Sequence, residues 1–316
     1  MISDEAPLDH LLTTALARLQ AEMKQAVPFL AAQVSAWMRE LACAPQPEDY
    51  FKNPIAFPLL LLPWWLEKTF HAEPALPFQA DLVYSTVNGY YYIRLLDNVM
   101  DGHATVELKL LPAAAFFHAQ FQAAYQRYFD AAHPFWGHFR QVWFQAADVT
   151  AQDASLSQVG LEAFRRYASQ KICAAQIPLA AVCYRYDRLD RLEPWSRFVE
   201  VFGAWHQMWN DLYDWSKDLR HGTRTYFLSE AEQRKRPDES AAAWVAREGF
   251  DWGSAVLSDW MAEARARAAP LNSPALFAYL DQREARLRGQ QAEVAEGLRR
   301  LARLAAAMHA VVPSRP

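Results

Sequence analysis

Glycine is scarce in this chain, at 10 of 316 residues against 12 tryptophans, 13 tyrosines and 18 phenylalanines. So few glycines exclude an architecture that turns tightly every few residues, such as a β-sandwich. Cysteine is scarce too. Cys43, Cys173 and Cys183 are odd in number and far apart, which excludes a disulfide framework or a zinc knuckle and fits a reducing compartment. Long hydrophobic runs are missing: the longest, residues 55–66, is too short for a bilayer and is broken by Pro58 and Pro63. There is no excess of positive charge. Lys and Arg number 32 against 36 Asp and Glu, a formal charge of −4, which speaks against a nucleic-acid partner. The acidic start, Met1-Ile2-Ser3-Asp4-Glu5, lacks the cationic and apolar parts of a signal peptide, so the expected location is cytoplasmic, with no integral membrane segment.

What is present is the composition of a folded helical protein. Hydrophobic residues make up 52% and charged residues 22%, enough to bury a large core. Ala, Leu, Gln and Arg are abundant, and strand-like alternation persists nowhere. The pattern predicts one all-α domain, in which residues 1–45 form an N-terminal helical segment packing on a bundle of residues 46–316. Helices are expected over 8–42 (one or two), 79–101, 112–130, 135–149, 156–186, 194–219, 240–268 and 274–310. Pro178 is the expected kink and 222–228 an expected loop. The Arg-rich stretch 283–303 reads as a solvated helix face.

Two acidic clusters stand out. In Asp97-Asn98-Val99-Met100-Asp101 the two carboxylates are four residues apart, on one helix face and among apolar neighbours. Two like charges so placed repel unless a cation offsets them. In the second cluster Asn210, Asp214 and Asp218 step by four twice, with Asp211 beside them, giving one oxygen-rich stripe. Both clusters lie near a helix C-terminus, where the helix dipole disfavours carboxylates. Oxygen stripes facing each other across a bundle suit Mg²⁺, which takes a few protein oxygens and completes its shell with phosphate and water. Other all-α metal enzymes fit less well. No His-Asp dipeptide and no Glu-x-x-His pair occurs.

These motifs resemble those of class I isoprenoid synthases, the all-α fold with a central cavity shared by trans-prenyltransferases and terpene cyclases. The likeness spans about residues 50–300. Asp97 to Asp101 resembles the first aspartate-rich motif, with Asn98 at its second position. The run from Gly203 through Gln207, Asn210, Asp211 and Asp214 is similar to the prenyltransferase pattern Gly-x-x-x-Gln-x-x-Asp-Asp-x-x-Asp. Asn210, Asp214 and Asp218 also match the cyclase metal triad. The resemblance implies three Mg²⁺ ions held by Asp97, Asp101, Asn210, Asp211, Asp214 and Asp218, with a prenyl diphosphate as the substrate. It further implies that Lys171 and either Arg165 or Arg166 contact the diphosphate, and that the segment carrying Arg220, Arg224 and Tyr226 closes over it. Lys217 and Gln207 complete the polar lining.

The cation left by ionisation must be kept from water, and aromatic faces do this without acting as nucleophiles. Trp205, Trp209 and Tyr92 are the expected rings. Tyr92 and Ile93, five and four residues before Asp97, are taken as about one turn beneath it and are expected to limit chain length, with Asn98 also in the cavity. Prenyltransferases also bind isopentenyl diphosphate through an Arg-bearing N-terminal segment and an Arg-Arg-Gly after the first motif. Here Phe57 stands at the first position and no Arg lies between Asp101 and Leu111. A second diphosphate needs cationic clamps. The expectation is therefore a terpene cyclase acting on farnesyl or geranylgeranyl diphosphate, in a chain able to form a homodimer. A prenyltransferase with rearranged contacts and a non-catalytic helical subunit are the alternatives.

Overall fold

Leu8, Leu12, Ala15, Leu16, Leu19 and Met23 recur at helical spacing and are all buried, forming the inner face of α1 (Ala6–Ala26). The computed structural model describes residues 6–100, 107–156 and 158–311, with side chains except at 153–155, 298–299 and 301–311. After α1 come α2 (Pro28–Ala42), α3 (Glu48–Lys52), α4 (Leu61–Lys68), α5 (Leu76–Met100), α6 (Glu107–Leu110) and α7 (Ala113–Ala123). The second half contains α8 (Phe135–Ser155), α9 (Leu161–Gln170), α10 (Cys173–Arg185), α11 (Leu192–His221), α12 (Tyr226–Arg234), α13 (Ala241–Trp244), α14 (Phe250–Ala268) and α15 (Pro274–Val311). No strand occurs among the described residues, so the all-α class follows directly.

Two long helices organise the bundle. α5 packs against α1, α7 and α10, and α11 packs against α9, α10, α12 and α14. α10 thus lies against both. One contiguous cluster of buried side chains runs from Leu8 to Leu287, so the N-terminal helices share the bundle's core. They are also tied to it by polar contacts. Tyr84 of α5 donates to Glu22, and the Arg18 guanidinium lies 3.8 Å from the centre of the Tyr84 ring. Trp37 of α2 donates to Glu107 at 3.0 Å. Truncating a fully buried residue such as Leu19 is worth about 2–5 kcal/mol.

The helix breaks differ from those expected. The chain breaks at Lys171–Ile172, between α9 and α10, while Pro178 stays inside α10. Pro178 is the sixth residue of α10, past the first turn, so it gives up the bond that an N–H there would make to the Ala174 carbonyl, yet the helix continues through it to Arg185. The expected loop 222–228 ends early. Thr225 caps α12, its hydroxyl accepting from Leu228 N–H at 3.2 Å, so Tyr226 is already helical. Gly222 ends α11 in the left-handed region at φ 68°, where a side chain would be strained. Among the described residues no helix is long and apolar enough to cross a membrane.

Candidate functional site

Asp97 sits in the last turn of α5 and accepts from Arg94 Nη1 at 3.1 Å. Ile93 and Tyr90, four and seven residues earlier, share its face to within about 40°. Tyr92 does not, because a step of five residues turns about 140°. Its ring lies against His118 and Trp143, 5.2 and 5.3 Å between centroids, in the α7–α8 packing. The expectation that Tyr92 lies beneath Asp97 is corrected accordingly, and Tyr90, stacked on Tyr50 at 4.6 Å, is the ring on that face. Asn98 also turns aside. It donates to Glu107 Oε1 at 3.0 Å, the same oxygen that Trp37 engages. Burial acts to raise the Glu107 pKa, but these bonds outweigh it and hold the carboxyl below its ordinary range. Asp101 lies outside the described residues.

On α11, Asn210 and Asp214 are exposed one turn apart, with Asp218 half-buried a turn further on. Asp211 is different: it is buried and receives Gln207 Nε2 at 2.9 Å, beside the backbone of Tyr226 and Phe227 at the start of α12. The start of α12 nearby, with its backbone N–H groups, offsets part of the cost of burying the carboxylate. Burial pushes its pKa up to about 7, and the nearby Asp218 charge adds to the rise. The Tyr226 ring is buried between Phe164 and Trp260.

The break between α9 and α10 meets α11 two turns before Asn210, on nearly the same face, where Ile172 packs on Gly203. This brings half-buried Lys171 to the side of α11 that carries Asn210 and Asp214. Lys217 and Arg220 are exposed in the last turns of α11, and Arg224 donates to the Leu156 carbonyl at 2.9 Å. Arg165 pairs with Glu263 at 2.9 Å and lies 4.6 Å from the centre of the Trp260 ring. Arg166 donates to the Tyr167 hydroxyl at 3.0 Å. Both arginines line a cleft of about 240 Å³ between α9, α11 and α14.

Trp205 and Trp209 belong to a different side of α11. Trp205 is fully buried and donates to the Leu257 carbonyl of α14 at 3.0 Å. Trp209 packs on Trp205 and on the Arg283 guanidinium of α15, 4.9 Å away in each case. Both rings are core between α11, α14 and α15, and the expectation that they line the cavity beside Asn210 is corrected. Their spacing of four is a helical face, but not the face of the Asn210, Asp214 and Asp218 stripe.

Oxygen donors alone make up the two clusters, a set that suits a hard cation such as Mg²⁺. Among the described residues no group of three or more His, Cys, Asp or Glu side chains converges on one point. No protein-family model matches the chain, and no curated protein matches it. Three contributors escaped the sequence reading. Arg94, the partner of Asp97, was legible from its spacing of three. Glu107 gave no signal, because its contacts with Asn98 and Trp37 join helices distant in the sequence pattern. Arg283 gave one: it continues the apolar stripe of Leu276, Leu280 and Leu287, all buried, and so is not the solvated residue expected.

Proposed function

We propose that this chain is a Mg²⁺-dependent class I terpene synthase that ionises a linear prenyl diphosphate, farnesyl or geranylgeranyl, and cyclises the resulting cation. The observation that carries the reading is the stripe of Asn210, Asp214 and Asp218 on α11, with Asp97 on α5 and α10 packed against both helices. These four side chains would hold the metal, with Asp101 completing the first cluster. When bound, Mg²⁺ supplies Lewis-acid neutralisation of the leaving diphosphate. Lys171, at the helix break, and Lys217 and Arg220, at the end of α11, donate charge-assisted hydrogen bonds to the diphosphate oxygens. Gln207 and Asp211 form a hydrogen-bonded pair behind them, beside the start of α12. Tyr90 and Ile93 form the apolar lining below Asp97 that keeps water from the cation. A cytoplasmic setting agrees with three free thiols, two of them buried.

One observation favours prenyl transfer as a second reading. The segment 51–58 lacks its own arginine, yet Arg283 and Arg286 of α15 line the same cleft as Lys52. A tryptophan-fluorescence titration with a non-hydrolysable farnesyl diphosphate analogue separates either enzyme from a helical scaffold. An enzyme binds the analogue tightly with Mg²⁺ and weakly in EDTA, whereas a scaffold shows no metal-dependent binding.

A further inference from the structure

A carboxylate in the last turn of a helix is disfavoured by the helix dipole unless a cation stands beside it. For Asp97 that cation comes from its own helix. Arg94 Nη1 lies 3.1 Å from Asp97 Oδ2, one turn back on α5, and the two side chains are 39% and 27% exposed. A pair this open to water is weak. A guanidinium also keeps its charge, so it cannot make room for a metal ion by losing a proton. Arg94 and Mg²⁺ are therefore rivals for one carboxylate. Like charges at contact distance repel, and Arg94 must leave Asp97 for a metal ion to be held there at full strength.

The fold offers Arg94 another partner. Asn98, four residues after Arg94, is its neighbour on the helix surface. Asn98 Nδ2 donates to Glu107 Oε1 at 3.0 Å, and Trp37 Nε1 donates to the same oxygen at 3.0 Å. Trp37 is buried, so the Glu107 carboxylate is fixed to the N-terminal helices. Its other oxygen, Oε2, receives no side-chain donor among the described residues, and Glu107 forms no ion pair there. The Arg94 charge already reaches it. Burial acts to raise the Glu107 pKa, the bonds from Asn98 and Trp37 lower it, and the Arg94 charge adds to the lowering.

We propose that Arg94 is a resident counter-ion of Asp97 that exchanges with Mg²⁺, and that Glu107 is the positioning residue that receives it. In the metal-free chain Arg94 neutralises Asp97. When Mg²⁺ takes the Asp97 oxygens, Arg94 turns across the Asn98 side of α5 onto Glu107 Oε2. The exchange relieves the repulsion between guanidinium and metal ion, and it links Asp97 to Trp37 of α2 through Arg94 and Glu107. It rests on the metal reading of Asp97 given above, in which neither Arg94 nor Glu107 is a metal ligand or a diphosphate contact.

Titration of the full chain with Mg²⁺ at a fixed concentration of a non-hydrolysable farnesyl diphosphate analogue, read by tryptophan fluorescence, tests this without turnover. Arg94→Gln is expected to lower the half-saturating Mg²⁺ concentration by about three- to tenfold and to leave the analogue's affinity at saturating Mg²⁺ unchanged. Glu107→Gln keeps an oxygen that accepts from Asn98 and Trp37, so it would not disturb a merely structural role. It is expected to raise the half-saturating Mg²⁺ concentration by about three- to tenfold, because Arg94 then has no second carboxylate. The double variant should match Arg94→Gln alone. Shifts that simply add in the double variant, or no shift in either single one, overturn the proposal. So does weaker analogue binding by Arg94→Gln at saturating Mg²⁺, which would make Arg94 a diphosphate contact. A parent chain without Mg²⁺-dependent binding overturns the metal reading and the exchange with it, whereas a Mg²⁺-dependent parent with unshifted variants overturns the exchange alone.

Discussion

Ile172 lies so close to Gly203 that a Cβ built on the glycine would stand 2.5 Å from the isoleucine Cδ1. This contact lets the α9–α10 break approach α11 two turns before Asn210. It couples the position of Lys171 to the acidic stripe through packing alone.

Gly203→Ala should therefore destabilise the chain by about 1–3 kcal/mol, the usual range for overpacking a core. Ile172→Ala in the same chain should restore part of the loss, because it removes the atom that the new methyl meets. Thermal unfolding of the two single variants and the double variant measures the coupling. Strictly additive losses would mean that the two residues do not share this contact.

Asp214 and Asn210 are exposed, so their removal should leave the fold intact. Asp214→Ala and Asn210→Ala are each expected to lower turnover by about 100-fold or more, as loss of a directly acting electrostatic group does. The circular dichroism spectrum and melting temperature should stay near those of the parent. Full turnover in either variant would remove that residue from the site.

Tyr92 and Ile93 are expected to separate stability from specificity. Tyr92→Ala should cost about 1–3 kcal/mol, below the 3–5 of a fully buried ring, because it leaves a gap against His118 and Trp143. It should not reorder the preference among geranyl, farnesyl and geranylgeranyl diphosphates. Ile93→Ala, on the Asp97 face, should shift that preference toward the longer chain. Competition assays with the three substrates read both effects.

The all-α class and the one-turn steps of the second cluster were legible in the sequence, because periodicity and spacing are local properties. Asp211 shows where that stops. Its place beside the stripe was readable, but its burial depends on how α12 returns to α11. The break at Lys171–Ile172 was missed for a similar reason. Pro178 is the stronger local signal, whereas the true break is set by packing against Gly203. Tyr92 was misplaced by treating five residues as one turn.

Asp211 also predicts a pH dependence in metal-free buffer. Its folded pKa is about 7, above its ordinary 3.8, so the native state holds the proton more tightly than the unfolded chain does. Its stabilising contribution is complete below about pH 4 and is lost as pH rises toward and through 7. Asp211→Asn keeps one carbonyl acceptor and removes the titration. Denaturant unfolding between pH 4 and 8 should show a smaller decline in that variant than in the parent, and parallel curves would count against the raised pKa.

Product analysis tests the proposed reaction most directly. The purified chain is incubated with geranyl, farnesyl and geranylgeranyl diphosphate, with Mg²⁺ or EDTA, and with or without isopentenyl diphosphate. The expected result is Mg²⁺-dependent release of diphosphate from a single prenyl substrate, with hydrocarbon or alcohol products of unchanged carbon number. Longer prenyl diphosphates formed only when isopentenyl diphosphate is present, or no diphosphate release from any substrate, would contradict it.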